Sequence, residues 1–185
     1  MSGGGAGMNE HDDSLREIID AGRIARRIGE LARDIDRCYG EEPLVLVCVL
    51  KGAYMFFADL SRALRKPNVQ VDFMRISSYG MGRESTHTVA ISMDVGVPVQ
   101  GKHVLVVEDI VDTGLSMRFL LDHLSGLGAK SLRVAVLLDT QERRELPINL
   151  DFVGFAVPSG FLVGYGLDCA EHYRNLPSIH EVLKP

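Results

Sequence analysis

Glu108, Asp109 and Asp112 crowd together, followed at once by Thr113, Gly114, Leu115 and Ser116. Carboxylates gathered this closely are costly to bury unless a cation or a polyol lies among them. Glu108 and Asp109 are therefore suited to hold sugar hydroxyls or Mg²⁺. The residues that follow have the opposite appetite. If a helix starts at Gly114, the hydroxyls of Thr113 and Ser116 and the free N–H groups around Gly114 and Leu115 would face an anion, with the positive end of the helix dipole behind them. Asp-Thr-Gly alone would be read as an ordinary helix cap. A cap, however, has no need of two further acids at the end of the preceding strand.

The elements that must position this string can be read from periodicity. Residues 103–108 form an apolar β-branched run ending in Glu108, and 114–127 is helical. Leu44–Leu50 is a continuous apolar run, the pattern of a strand covered on both faces. Residues 55–66 predict a helix stopped by Pro67, and 69–76 and 132–138 predict strands. Ser14-Leu15-Arg16-Glu17 has the form of a capping box, and Leu15, Ile18, Ile19, Ile24, Ile28, Leu31 and Ile35 recur at helical spacing, which predicts a first helix from residue 15 onward. Alternating strands and helices give an α/β domain over 14–185 with a mostly parallel central sheet, whose ligands sit beyond the carboxyl ends of the strands. Residues 77–87 lack a periodic apolar face and predict a loop able to close as a lid. The Gly-rich, polar residues 1–13 predict a flexible tail.

Composition narrows the function classes. A chain of 185 residues with 46% hydrophobic content supplies one full core. A formal charge of -5 argues against a general nucleic-acid surface. Cys38, Cys48 and Cys169 are too scattered for a disulfide framework and are expected to be reduced packing residues. Neither a membrane-spanning run nor a signal-peptide pattern is present, so a soluble cytoplasmic protein is expected.

The string from Val106 to Ser116 resembles the phosphoribosyl-pyrophosphate signature of the type I phosphoribosyltransferases, most closely their hypoxanthine-guanine branch. Other segments match in the same order: Leu50-Lys51-Gly52 with Tyr54 and 56–60 resembles the pyrophosphate loop, and Ser78-Tyr79-Gly80 the catalytic loop. Residues 151–155 and 161–168, with Arg174 beyond, resemble the purine and second-metal region. The resemblance implies a small hood built from the chain ends, and substrates that are phosphoribosyl pyrophosphate and a purine base. It implies that Lys51 and Gly52 offer backbone N–H groups to pyrophosphate through a non-proline cis peptide, and that Ser78 and Tyr79 close over the site. Glu108 and Asp109 would hold the ribose hydroxyls and a metal, Asp112 would act as general base at N7 of the purine, and Thr113, Gly114, Leu115 and Ser116 would bind the 5-phosphate. Phe161 would stack on the base, Leu162 would lend it backbone hydrogen bonds, Asp168 would bind Mg²⁺, and Arg174 would reach pyrophosphate. Separately from the resemblance, the apolar positions of a small α/β enzyme make a homodimer or homotetramer the expected assembly.

The chain departs from the family at three places. Ala53 replaces a glycine, Ser159-Gly160 replaces charged residues, and Thr140 stands where the family has a lysine that donates to O6 of the base. Thr140, taken as a substrate-binding residue, leaves the preference among hypoxanthine, guanine and xanthine open, and hypoxanthine is the expected base because Asp112, Phe161 and Asp168 keep the rest of that site. Two other readings compete with the enzyme: a regulator of the same fold that binds RNA, which would need a basic face, and a weakly active paralogue.

Overall fold

Leu44 to Val49 are all buried, because their strand lies between two parallel neighbours and under helices on both faces. In chain order the elements are β1 (Leu15–Ile19), α1 (Ala21–Tyr39), β2 (Leu44–Leu50), α2 (Tyr54–Ala63), β3 (Val69–Tyr79), β4 (Thr88–Met93), β5 (His103–Val111), α3 (Leu115–Gly126), β6 (Ser131–Asp139), β7 (Phe152–Ala156), β8 (Leu162–Val163) and β9 (Ile179–Val182). The computed structural model describes residues 15–79 and 88–183. The expected tail and residues 80–87 of the expected lid lie outside that range.

The main sheet has the order β4-β3-β2-β5-β6-β7, parallel throughout except where β4 runs against β3. Successive side chains of its central strands point to opposite faces and so feed two cores. Leu46, Cys48, Leu105 and Val107 pack with Ile28, Leu31 and Phe56 on the side of α1 and α2. Val45, Val47, Val104 and Val106 pack with Met117, Leu120 and Leu124 on the side of α3. Each fully buried side chain of this size is worth about 1.5–3 kcal/mol relative to exposure. Cys48 is thus a packing residue, and burial pushes its thiol up to about 12. Cys38, expected to pack, is exposed.

The first helix starts later than its periodicity predicts. Leu15–Ile19 is a strand, paired antiparallel with β9 so that Leu15 faces Val182 and Ile19 faces Ile179. That pairing satisfies the backbone of both segments, and five residues of mixed polarity fit a strand as well as a helix. Asp20 is the N-cap, its carboxylate accepting from Arg23 N at 2.9 Å, and Ser14 of the expected capping box lies outside the described residues. The other predicted strands and helices fall within a few residues of expectation, whereas β4, β7, β8 and β9 had no expectation attached to them. β5 and β3 run further than predicted, because β5 pairs with β6 as far as Asp139 and β3 pairs with β4 as far as Tyr79. β1, β9 and β8 form a separate antiparallel sheet, a hood that joins the two ends of the described chain.

Candidate active site

At its carboxyl end β5 delivers Glu108 and Asp109, then Asp112, Thr113 and Gly114 turn the chain into α3. Gly114 is the N-cap with φ 87°, and no side chain caps the helix. Leu115 N has a long bond of 3.4 Å to Thr113 Oγ1. The turn therefore does not follow the ordinary capping reading. It borders a cavity of about 140 Å³ lined by Glu108, Ile110, Asp112, Thr113, Gly114 and Ser116, among others. Backbone N–H groups at a helix start, two hydroxyls and two carboxylates around one small cavity are donors and acceptors of the kind that suits a phosphorylated sugar.

The loop after β2 lies against the same acidic end. The Leu50–Lys51 peptide is cis. A Cβ on Gly52 would fall 1.8 Å from Asp109 Oδ2, so only glycine allows the backbone this close to the carboxylate. Lys51 Nζ lies 3.0 Å from Glu171 Oε1, and Arg174 Nη2 lies 2.7 Å from Asp168 Oδ1 and 3.2 Å from Glu171 Oε2. Arg174 also donates to the carbonyl of Gly166 at 2.8 Å. Lys51, Gly52, Asp109, Asp168 and Arg174 are thereby one connected patch. Glu171, which no sequence signal singled out, bridges its two cations, and Lys51 first and Arg174 second hold its carboxyl below the usual range.

Glu108 keeps some contact with solvent, yet the surrounding protein, and then the charge of Asp109, push its carboxyl well above the usual carboxylate range. A cation or hydroxyl-bearing ligand beside it would relieve that strain on the charged form. Among the described residues no three acidic, histidine or cysteine side chains converge as a protein-only metal cage. Glu108 and Asp109 on one side and Asp168 on the other are instead separate carboxylate positions. Such sites suit Mg²⁺, which takes one or two carboxylates and completes its shell with water and substrate phosphates.

Asp112 is held by a segment that sequence reasoning only partly anticipated. Thr140, 3% exposed, places its hydroxyl 3.2 Å from both the Val111 carbonyl and Asp112 Oδ1. Arg143 Nη1 lies 3.0 Å from Asp112 Oδ2. Arg144 donates through Nε to the Asp112 carbonyl at 2.8 Å and through Nη2 to the Val111 carbonyl at 3.0 Å, and is anchored on Asp139 Oδ1 at 2.5 Å. The N–H groups of Glu145 and Leu146 both donate to the Thr113 carbonyl, so the whole turn is stitched down. Arg144 carries no local signal of this role, since the carbonyls it holds, Val111 and Asp112, are far away in sequence.

Phe161 is 55% exposed and is no core aromatic, while Leu162 beside it is buried in β8. The Ser159 backbone and hydroxyl both donate to Glu142 Oε2, which ties the loop before Phe161 to the 3-10 turn Gln141–Arg143 next to Asp112. Ser78 and Tyr79 end β3 and pair through the backbone with Val89 and Thr88. Their side chains lie outside what the structure describes. A second cavity of about 240 Å³, under the hood between Arg23, Phe155 and Leu162, contains none of these acidic residues.

A mostly parallel sheet that presents an acidic strand end, a turn into a helix start and a glycine loop at the carboxyl ends of its central strands defines an α/β protein with a site suited to a phosphorylated sugar. The chain belongs to the phosphoribosyl transferase family, whose domain pattern matches residues 14–170. It is 48% identical over 169 residues to a hypoxanthine-guanine phosphoribosyltransferase of Aquifex aeolicus, covering 91% of this chain and 94% of that one. It is 42% identical over 172 residues to a hypoxanthine phosphoribosyltransferase of Salmonella typhimurium, covering 92% and 96%. The crystal structure of a Staphylococcus aureus hypoxanthine phosphoribosyltransferase superposes with a TM-score of 0.88 at 39% identity, covering 96% of this chain and 97% of that one.

Proposed function

We propose that the chain is a purine salvage enzyme that transfers the phosphoribosyl group of phosphoribosyl pyrophosphate to hypoxanthine, with guanine as an alternative base, giving IMP or GMP and pyrophosphate. The observation that carries this reading is the juxtaposition of Asp112 with the phosphate-shaped turn at the end of β5, while Gly52 lies against Asp109. The 5-phosphate sits on Thr113, Gly114, Leu115 and Ser116, and the ribose hydroxyls on Glu108 and Asp109. Lys51, Gly52 and Arg174 receive the pyrophosphate, displacing the Glu171 carboxylate from the two cations. Ser78 and Tyr79 cover it.

As the bond from C1 of the ribose to the pyrophosphate oxygen breaks, the electron pair leaves with pyrophosphate and N9 of the base bonds to C1. The proton on N7 then becomes acidic and passes to Asp112. Phe161 stacks on the base and Leu162 offers it backbone hydrogen bonds. Arg174 stabilises the leaving charge in a site closed to water, where such contacts act strongly. Glu108, Asp109 and Asp168 would hold Mg²⁺, which would supply further neutralisation of the leaving group.

No helix of the described residues is long and apolar enough to cross a membrane, and a cytoplasmic setting accords with this reading. Val71, Phe73 and Met93 leave apolar surface exposed on β3 and β4, which supports assembly as a homodimer or homotetramer. Turnover with hypoxanthine, guanine, xanthine and adenine, followed as pyrophosphate release with and without a chelator, tests the enzyme. Binding of phosphoribosyl pyrophosphate without turnover of any base would sink it in favour of a regulatory or inactive relative. Turnover undiminished by complete chelation would sink the role of Mg²⁺.

A further inference from the structure

We propose that Arg143 is the residue that reads the 6-oxo group of the base, acting beside Asp112 as one half of a donor–acceptor pair. This inference rests on the transferase reading above and adds to it the group that sets base specificity. Its basis is the occupancy of Asp112. Oδ1 lies 3.2 Å from the Thr140 hydroxyl, and Oδ2 lies 3.0 Å from Arg143 Nη1.

Thr140 cannot serve O6 without giving up a partner. Its hydroxyl has one proton, it is within reach of two protein acceptors, Val111 O and Asp112 Oδ1, and the residue is 3% exposed. Arg143 is in the opposite condition. Its side chain is 66% exposed, and a guanidinium carries five N–H donors in a rigid fork, so contact with one carboxylate oxygen leaves others available.

A carboxylate and a guanidinium held side by side recognise a ligand edge that offers a donor next to an acceptor. A 6-oxopurine protonated at N7 presents that edge, N7–H to the Asp112 carboxylate and O6 to the guanidinium. A 6-aminopurine presents an amino group to Arg143, donor against donor. The turn that carries Arg143 is also fixed on its other side: Glu142, its neighbour, accepts from Ser159, two residues before the exposed ring of Phe161. Arg143 therefore lies on the segment that links Asp112 to the loop bearing the stacking aromatic.

The test compares hypoxanthine with purine itself, which lacks any group at C6, in the wild-type chain, Arg143→Ala and Arg143→Lys. Hypoxanthine should lose about 10- to 100-fold in kcat/KM in Arg143→Ala, the scale of one charge-assisted hydrogen bond, chiefly through KM. Purine should change by less than about 3-fold, and Arg143→Lys should recover part of the loss on hypoxanthine. The affinity of Arg143→Ala for phosphoribosyl pyrophosphate alone should match wild type. The inference is overturned if the hypoxanthine-to-purine ratio survives Arg143→Ala, or if both bases fall together. A wild-type chain that transfers to neither base overturns the transferase reading itself and this inference with it, so the two failures are distinct.

Discussion

Gly52 and Asp109 meet with no room for a methyl group between them: a Cβ on Gly52 would lie 1.8 Å from the Asp109 carboxylate oxygen. On its other side the Gly52 carbonyl would lie 2.0 Å from a Cβ on Gly166, whose φ of 103° also favours glycine. The loop after β2 is thus sandwiched between the acidic end of β5 and a turn of the hood. Gly52→Ala should cost about 1–3 kcal/mol in urea unfolding, as overpacking does, and should raise KM for phosphoribosyl pyrophosphate as Asp109 is pushed aside. Wild-type stability in this variant would mean that the loop yields freely.

Asp112→Asn keeps the shape of the turn, its backbone contacts with Arg144 and the cavity at Gly114. It removes the acceptor for the N7 proton. Expected are near wild-type binding of phosphoribosyl pyrophosphate and a fall in kcat of about 100-fold or more. An unchanged kcat would remove Asp112 from the proton's path.

Glu108 leads to a prediction about pH. Its carboxyl is raised in the folded protein by burial and by Asp109, so above the ordinary carboxylate range the folded state binds a proton that the unfolded state has lost. Stability should fall as pH rises from that range toward the folded value. Glu108→Gln should remove this slope and raise the melting temperature of the ligand-free protein at neutral pH, while weakening phosphoribosyl pyrophosphate. Thermal unfolding from pH 4.5 to 8 measures it, and a variant with a lower melting temperature at neutral pH would contradict the assignment.

The Asp139–Arg144 pair has side chains only 7% and 17% exposed. Arg144→Met would strand a buried carboxylate and leave the Val111 and Asp112 carbonyls without its donors, at a cost of about 3–5 kcal/mol. The double change with Asp139→Leu should be less damaging than Arg144→Met alone. Equal losses in the single and double variants would show that the pair acts through the carbonyls and not through its charges.

The acidic string and the glycine loop were legible because their chemistry is local: residues 108–116 carry their own strand end, turn and helix start. The strands at the sheet centre were legible because burial on both faces leaves an unbroken apolar run. The strand Leu15–Ile19 was not, since its identity depends on a partner at Ile179–Val182. The same is true of the site. Glu171, Arg144 and the committed state of Thr140 are set by contacts across the fold, and neither residue type nor spacing announces them. Thr140 stood out only as a departure, and the structure places its hydroxyl on protein acceptors while Arg143 keeps donors free.

The seam between Leu15 and Val182 bears on the order in which the molecule assembles. Joining segments so far apart in sequence requires closing a long loop, and its entropy must be lost before the few hydrogen bonds of three short strands are gained. The central sheet, with neighbours closer in sequence, is then expected to condense first and the hood last. Phe161 immediately precedes the hood strand β8 and Arg174 lies between β8 and β9, whereas Glu108, Asp109 and the phosphate turn follow from the sheet. During refolding, the grip on the ribose 5-phosphate should therefore appear before the stacking on the base and the hold of Arg174 on pyrophosphate.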